Sequence, residues 1–150
     1  MVDIKNDQQA IAINTSELKK KTLHLLRVIE YSDYGLGIML TTPAKMHAFN
    51  KKFRGIDKPT DILSFMYYQD LKPNERIRPE SEEDKYLGDI IMCPEYIAEH
   101  LDAWPEKSVG LRIERLLVHG ICHLLGYTHE TDSNAKTMLD QETYLLSKLQ

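Results

Sequence analysis

The segment from Ser108 to Leu125 is the feature that most constrains how this 150-residue sequence can fold. Its apolar residues recur every three or four positions, which is the period of an α-helix that buries one face. Because so apolar a helix has to be covered by other elements, the segment predicts the central helix of a packed core. The predicted buried face consists of Ile113, Leu116, Leu117, Gly120, Ile121 and Leu124.

Strands and helices are predicted along the chain in an irregular order. Strand patterns occupy residues 10–14, 35–41, 61–67 and 87–92, and helical patterns occupy residues 15–30, 43–54, 94 onward, 108–125 and 134–149. Thr15 and Ser16 are predicted to cap the first helix, whereas Thr42 and Pro43 begin the second, which ends by Gly55. Residues 69–86 are rich in charge and are predicted to form an exposed loop. No repeat or linker divides the chain, so the pattern predicts one α+β (mixed α/β) domain over residues 1–150, with a mixed sheet of about four strands packed by helices.

Composition excludes several classes of protein. There are 19 basic and 23 acidic residues, for a net charge of −4, and no apolar run approaches the length of a membrane span. The first ten residues are polar and lack the basic start and apolar core of a signal peptide, so we expect a cytoplasmic protein with no membrane partner. Cys93 and Cys122 are expected to be buried, reduced thiols. A domain of this length folds without a structural metal, so a metal site in it is expected to be functional.

Three of the six histidines lie within eleven residues, in the run HGICHLLGYTH. Residues four apart share one face of a helix, so His119 and His123 can present two imidazole nitrogens to one ion. Gly126 is predicted to take the left-handed conformation that reverses the chain, which brings His129 back over the pair. Arg112 lies on the same side of the helix, which predicts a polar stripe lining a cleft. The sequence therefore predicts a metal site at the end of the core helix.

Three histidines leave one coordination position for water or substrate, which is typical of a catalytic site. Cys122 points away from His123 on the helix and does not complete the ligand set. We expect one Zn²⁺ ion per chain, although nickel or copper can occupy the same nitrogens in vitro.

The same spacing occurs in the metzincin proteases, whose motif is HExxHxxGxxH. In those enzymes the glutamate after the first histidine is the general base, and here that position is Gly120. Glycine cannot accept a proton, so a peptidase is disfavoured. Gly120 is instead predicted to let another element approach the helix closely.

Beyond these spacings, the chain resembles the YbeY-type proteins, bacterial single-domain endoribonucleases and rRNA maturation factors. The resemblance runs from Asn50 to Leu149. It rests on HGxxHLLGYxH together with TDILSF at 60–65, GDI at 88–90, the pair Phe53 and Arg54, and finally Met138 and Glu142. Two positions depart from the family pattern: Thr128 replaces an aspartate, and Met66 replaces a proline.

The resemblance implies a mixed sheet, one metal ion bound by His119, His123 and His129, and cleavage of single-stranded RNA. It also implies a role in ribosome maturation and quality control, at the 3′ end of the small-subunit rRNA, with ribosome-associated proteins as further partners. Arg54 matches the family's functional arginine, and a guanidinium can bind the non-bridging oxygens of a phosphodiester in a bidentate manner. The implied catalytic residues are Arg54 and the ligand His119.

Basic residues are concentrated between positions 44 and 58. Five occur there against the single acidic residue Asp57, a local charge of +4 that leaves −8 on the rest of the chain. We predict that Lys51, Lys52, Arg54 and Lys58 bind RNA, with Lys45 adding to the local charge and Arg112 nearby. The alternatives are an ordinary solvated helix face, or an RNA-binding run at Lys19 to Lys21.

Several assignments stay open at this point. The protein is expected to be a hydrolase, but a non-catalytic assembly factor stabilised by its metal, or a hydrolase of small molecules, fits the same residues. The general base is unassigned, with Glu130 a candidate, and the nucleophile is either water or a ribose 2′-hydroxyl.

Asp61 and Asp89 are expected to be structural, and Ser64 is not expected to be a nucleophile. Met138 is expected to pack beneath the metal site, and Glu142 to lie on the helix surface or beside a ligand.

Overall fold

Four strands and five α-helices make up the computed structural model, which describes all 150 residues. The strands are β1 (Val2–Asn6), β2 (Gly35–Leu40), β3 (Ile62–Met66) and β4 (Tyr86–Met92). The helices are α1 (Thr15–Val28), α2 (Pro43–Arg54), α3 (Pro94–Glu99), α4 (Val109–Leu124) and α5 (Asp132–Ser147). None of these helices has the length and apolarity that crossing a bilayer requires.

The strands form one sheet in the order β1-β2-β4-β3. β1 and β2 are parallel, as are β2 and β4, whereas β3 runs antiparallel to β4 and forms an edge of the sheet. The predicted α+β fold with a mixed four-stranded sheet is confirmed.

The main core lies between one face of this sheet and helices α1 and α4. Leu36, Ile38 and Leu40 alternate along β2 and are buried there, as the two-residue period of a strand requires. The predicted face of α4 is also buried, so α4 is the central helix that its sequence indicates. On the other face of the sheet, Met46 of α2 packs in a smaller cluster of buried residues with Leu63, Ile91 and Cys93.

Two predictions about the N-terminal region are wrong. Residues 10–14 form no strand, because the Gln8 side chain hydrogen-bonds both the carbonyl and the N–H of Ile11 and holds the chain in a turn. The first strand is β1, which pairs with β2 from Val2 onward. The cap of α1 is Asn14, whose side chain accepts a hydrogen bond from the Glu17 N–H, and not the pair that follows it.

The boundaries of α2 follow their predicted signals. Thr42 caps α2 through the Lys45 N–H, and Gly55 ends that helix in the left-handed conformation, at φ 69°. Ser108 caps α4 through the Leu111 N–H.

The loop predicted at residues 69–86 is only partly exposed. Ile77 is buried in the main core, and its N–H donates a hydrogen bond to the Tyr31 hydroxyl at 3.0 Å. Burial of this one isoleucine fixes the middle of the loop on the core, whereas most other residues of the loop are exposed, as predicted. Cys93 and Cys122 are free and buried, as expected.

Candidate metal centre

Helix α4 carries two of the candidate ligands and lies unusually close to the sheet. A Cβ atom at Gly120 would be 2.8 Å from Cδ1 of Ile90 and 3.2 Å from Oγ of Ser64. Position 120 therefore faces β3 and β4, and the close approach predicted for this glycine is confirmed. His119 and His123, one turn apart, are left partly exposed beside this contact.

The turn after α4 brings the third histidine back. Gly126 has φ 95°, and the next residue, Tyr127, donates its N–H to the Cys122 carbonyl at 3.0 Å. A Cβ at Gly126 would lie 2.3 Å from the Leu71 carbonyl oxygen, so the turn is packed directly against the 69–86 loop. The positive φ and this contact both require glycine here.

The three histidines converge as the spacing predicts. One ligand atom from each of His119, His123 and His129 lies within 4.8 Å of the others. Nε2 of His119 is 3.1 Å from Nε2 of His123, and the His129 ring centroid is 5.6 Å and 5.1 Å from those of His119 and His123. Three nitrogens at this spacing surround a point that one ion can occupy.

Two hydrogen bonds orient the ligands. Nδ1 of His119 is 2.7 Å from Oε2 of Glu142, and Nδ1 of His123 is 2.9 Å from the carbonyl oxygen of Tyr127. Both partners are acceptors, so each Nδ1 is assigned the proton and each Nε2 lone pair is directed at the common point. Residue Thr128 supplies neither bond, so its replacement of the family aspartate leaves both contacts in place.

Glu142 of α5 is buried and contacts two basic side chains. Besides His119 it contacts Arg115, whose Nη2 lies 3.5 Å from Oε1. Burial alone would raise the pKa of this carboxyl, but the hydrogen bond from His119 and the charges of His119 and Arg115 hold the pKa below its usual value. Glu142 is therefore a ligand partner and not a surface residue. Met138, one turn earlier, is buried in the main core.

The surroundings of His123 favour its neutral form. Burial, and then the neighbouring charge of His119, lowers the pKa of His123 to about 4, so its imidazole is uncharged at neutral pH. Burial raises the pKa of the Cys122 thiol to about 12, and the cysteine is not part of the cluster. His129 is exposed, which leaves one side of the cluster accessible from solvent. The donors thus suit a borderline metal ion with a free coordination position.

The predicted RNA-binding cations share one end of α2 and the loop after it. Arg54 is the last residue of the helix, is exposed, and makes no hydrogen bond or ion pair within the chain. Lys51 is 3.9 Å from Asp57, which also contacts His47. The loop is held to the helix by the buried Asn50, whose amide donates to the Lys58 carbonyl at 2.8 Å. None of these cations bonds directly to the three histidines.

Two other cations do not belong to this surface. Lys45 forms an ion pair with Asp7, so the positive excess of the region is smaller than the sequence count indicates. Arg112 is buried, and its Nη1 lies 3.0 Å from Glu106 while Nη2 lies 3.7 Å from Asp61. The Arg112 guanidinium also lies 3.7 Å from the ring centre of Trp104. The prediction that Arg112 lines a polar cleft near the RNA is wrong, because its charge is neutralised inside the fold.

The fold and these residues define a class: a small α+β domain with three convergent histidines at the end of its core helix, arranged as an open metal site. The family model described as Endoribonuclease YbeY matches residues 3–150 of the chain. The chain therefore belongs to the YbeY family, and the resemblance extends through the first 49 residues, which carry none of the motifs.

Individual relatives agree with this assignment. The chain is 32% identical over 146 residues to Endoribonuclease YbeY of Homo sapiens, covering 97% of this chain and 86% of that protein. It is 32% identical over 152 residues to Endoribonuclease YbeY of Thermoanaerobacter sp. (strain X514), covering 97% and 95%. The solution structure of TM1509 from Thermotoga maritima superposes with a TM-score of 0.63 at 23% identity, covering 99% and 88%, and so shares the fold.

The sequence left open whether Glu142 orients a ligand, and it gave no indication of the Tyr127 carbonyl. The Tyr127 carbonyl is a backbone atom and leaves no signal in residue identity. Glu142 has a weak signal, since it lies four residues after the buried Met138 and therefore on the same side of α5. That spacing shows that a carboxylate faces inward, but not that it meets His119.

Proposed function

We propose that this protein is a zinc-dependent endoribonuclease that cleaves single-stranded RNA. The observation that carries the proposal is the convergence of three imidazoles, of which His119 and His123 have their Nε2 atoms turned toward one point by Glu142 and the Tyr127 carbonyl. Family membership supplies the reaction class, since the relatives are endoribonucleases.

The chemistry of the donors supports zinc as the ion. Three imidazoles without a thiolate are typical of catalytic zinc sites, and His119, His123 and His129 would hold one ion per chain. A bound Zn²⁺ ion supplies Lewis-acid chemistry, polarising a phosphoryl oxygen or lowering the pKa of water. His119 is catalytic in this proposal as the ligand that Glu142 orients.

The role of Arg54 is to bind the phosphodiester. Its guanidinium has no partner in the chain, so all its donors are available to the non-bridging oxygens, where negative charge increases during cleavage. Gly55 ends the helix directly after it, which fixes where its backbone lies. Lys51, Lys52 and Lys58 lie beside it and would bind neighbouring phosphates.

The setting that we propose is rRNA processing in the cytoplasm, at the 3′ end of the small-subunit rRNA, with the ribosome as the partner. A protein with a net charge of −4 binds a polyanion through a local basic surface, and the end of α2 provides one.

Incubation of the purified protein with labelled single-stranded RNA tests the activity. We expect cleavage with zinc, loss of cleavage with a chelator, recovery when zinc is restored, and little cleavage of a duplex of the same sequence. Undiminished cleavage by protein shown by elemental analysis to be metal-free would refute metal dependence. Ribosome binding without any cleavage would instead support the non-catalytic assembly factor.

A matched pair of arginine variants tests the phosphate contact. Arg54→Ala is expected to lose most cleavage while keeping its metal, and Arg54→Lys to restore little, because an ammonium lacks the planar fork. Arg27→Ala is the control, since Arg27 is likewise exposed in the last turn of a helix, α1. If Arg54→Ala and Arg27→Ala cleave equally well, Arg54 has no catalytic role.

A further inference from the structure

An open groove lies on the face of the sheet opposite α4. It has a volume of about 560 Å³ and is bounded by strands β1, β2 and β4, by β3 at one end, and by α2 above. We call it the aromatic groove, after Phe49 and Phe53 of α2 and Phe65 of β3, which line it. Its volume is within the range of small-molecule sites, and none of the three candidate metal ligands lines it.

The aromatic rings of this groove are arranged around an exposed one. The ring of Phe53 is 5.1 Å from that of Phe65 at an angle of 69°, and 6.3 Å from that of Phe49 at 21°. Phe53 ends the apolar stripe of α2, yet 53% of its surface is exposed. A half-exposed aromatic ring beside two others, at the edge of a groove, can stack against a planar ligand.

Charge around the groove favours a nucleotide in one orientation. Lys52 lies 5.2 Å from the Phe53 ring centre, and Lys51 and Arg54 flank the same helix end. On the floor, the carboxylates of Asp3 and Asp89 outnumber the one cation, Lys5, and Asp89 also accepts a hydrogen bond from Tyr86. Phosphates would be repelled from the floor and attracted to the rim, whereas an uncharged base can enter.

We propose that the aromatic groove binds one unpaired base of the RNA substrate, stacked on Phe53, with a flanking phosphate on Lys52. This inference rests on the proposed function and names how its substrate is held. The free carboxylate oxygens of the floor are acceptors, so bases with exocyclic amino groups are favoured.

Strand β3 connects the groove to the candidate metal centre. Successive residues of a strand point to opposite faces, so Ser64 faces Gly120 of α4 while Phe65 faces the groove. Because β3 is an edge strand, no further strand separates the two faces there. An RNA strand that crosses this edge would place a base in the groove on one side and a phosphodiester toward the histidines on the other.

The test is the affinity of zinc-loaded protein for a labelled single-stranded 2′-O-methyl RNA, checked by gel to remain intact. Phe53→Leu removes the ring but keeps an apolar contact to Phe65. We expect binding to weaken by a factor of about 5 to 150, the loss of one base stack. The slope of log affinity against log salt is expected to stay unchanged, since no phosphate contact is lost.

Tyr144→Leu is the matched control variant. Tyr144 of α5 is exposed to 49% and has Lys148 5.1 Å from its ring centre, so its exposure and its distance to a lysine are similar to those of Phe53. We expect its RNA affinity to equal that of the wild type. Inorganic polyphosphate, a polyanion without bases, is expected to bind the wild type and Phe53→Leu equally.

The outcomes separate the two proposals. If the wild type cleaves RNA but Phe53→Leu binds it as tightly as the wild type does, the groove does not hold a base and serves another partner, such as a protein. Equal losses for RNA and polyphosphate would also overturn the proposal, because stacking would not be involved. A wild type that neither binds nor cleaves RNA would refute the proposed function itself.

Discussion

Replacement of Gly120 by glutamate tests the packing of the core helix and the exclusion of protease chemistry together. This change restores the residue that metzincin proteases use as general base. In this fold, however, the new Cβ alone would lie 2.8 Å from the side chain of Ile90, which is fully buried and cannot easily move away. We expect the variant to lose stability and to gain no peptidase activity.

The expected change in the free energy of unfolding is estimated from two opposing contributions. Adding a methyl group in the helix gains about 1 kcal/mol of helix propensity, and overpacking costs about 1–3 kcal/mol. Gly120→Ala is therefore expected to change the free energy of unfolding by about 2 kcal/mol at most. Gly120→Glu also buries a carboxyl without a partner, which brings the loss to about 4 kcal/mol or more.

Urea unfolding followed by circular dichroism measures both variants, and Gly110→Glu is the control. Gly110 lies in the first turn of the same helix, is exposed, and a Cβ there would have its nearest neighbour at 3.9 Å. We expect Gly110→Glu to be as stable as the wild type or more stable, since glutamate favours a helix and its N-terminal end. A Gly120→Glu protein with the wild-type midpoint, or one that cleaves peptides, would refute the reasoning.

Four further predictions concern the metal centre and the basic surface. His129→Ala should reduce zinc content below one ion per chain in elemental analysis, and full occupancy would show that this histidine is not a ligand. Glu142→Gln should weaken zinc binding by about 10- to 100-fold in a chelator competition, because the oriented tautomer is less favoured. The free energy of unfolding of the metal-free protein should fall as pH drops from 6.5 towards about 4, because in this range His123 takes up a proton in the unfolded chain but not in the folded one. Urea unfolding at several pH values should show a smaller decrease for His123→Gln. Changing both Lys51 and Lys52 to alanine should flatten the salt dependence of RNA binding by about 0.7 per lost contact while leaving the zinc content unchanged.

The metal centre was easier to predict than the ion pairs around it, because the residues that form it are close together in the sequence. Positions four apart on one helix, followed by a glycine turn, bring three histidines together without reference to the rest of the chain. Arg112 and Lys45 were misassigned for the opposite reason: their partners Glu106, Asp61 and Asp7 are brought near by tertiary structure. A count of charges along the sequence cannot distinguish a free cation from one that is already paired.

The strands likewise divide into those that their own sequence predicts and one that depends on tertiary contacts. β2, β3 and β4 were predicted within a residue or two because their apolar patterns are flanked by clear turn signals. β1 was missed because only Val2 and Ile4 of its five residues are apolar, and pairing with β2 stabilises it. The segment at residues 10–14 has a stronger apolar pattern, but the hydrogen bonds of Gln8 hold it in a turn.

Because Glu142 orients His119, the metal centre can be completed only after α5 has been synthesised and has folded. His119 belongs to α4, but the carboxylate that orients it belongs to α5, which is anchored by the buried residues Met138 and Leu145. A ribosome therefore completes all four strands and α4 before the residue that orients His119 has been synthesised. A nascent chain that has not yet docked α5 would bind metal weakly, so newly made protein should acquire nuclease activity only after its last helix has folded onto the domain.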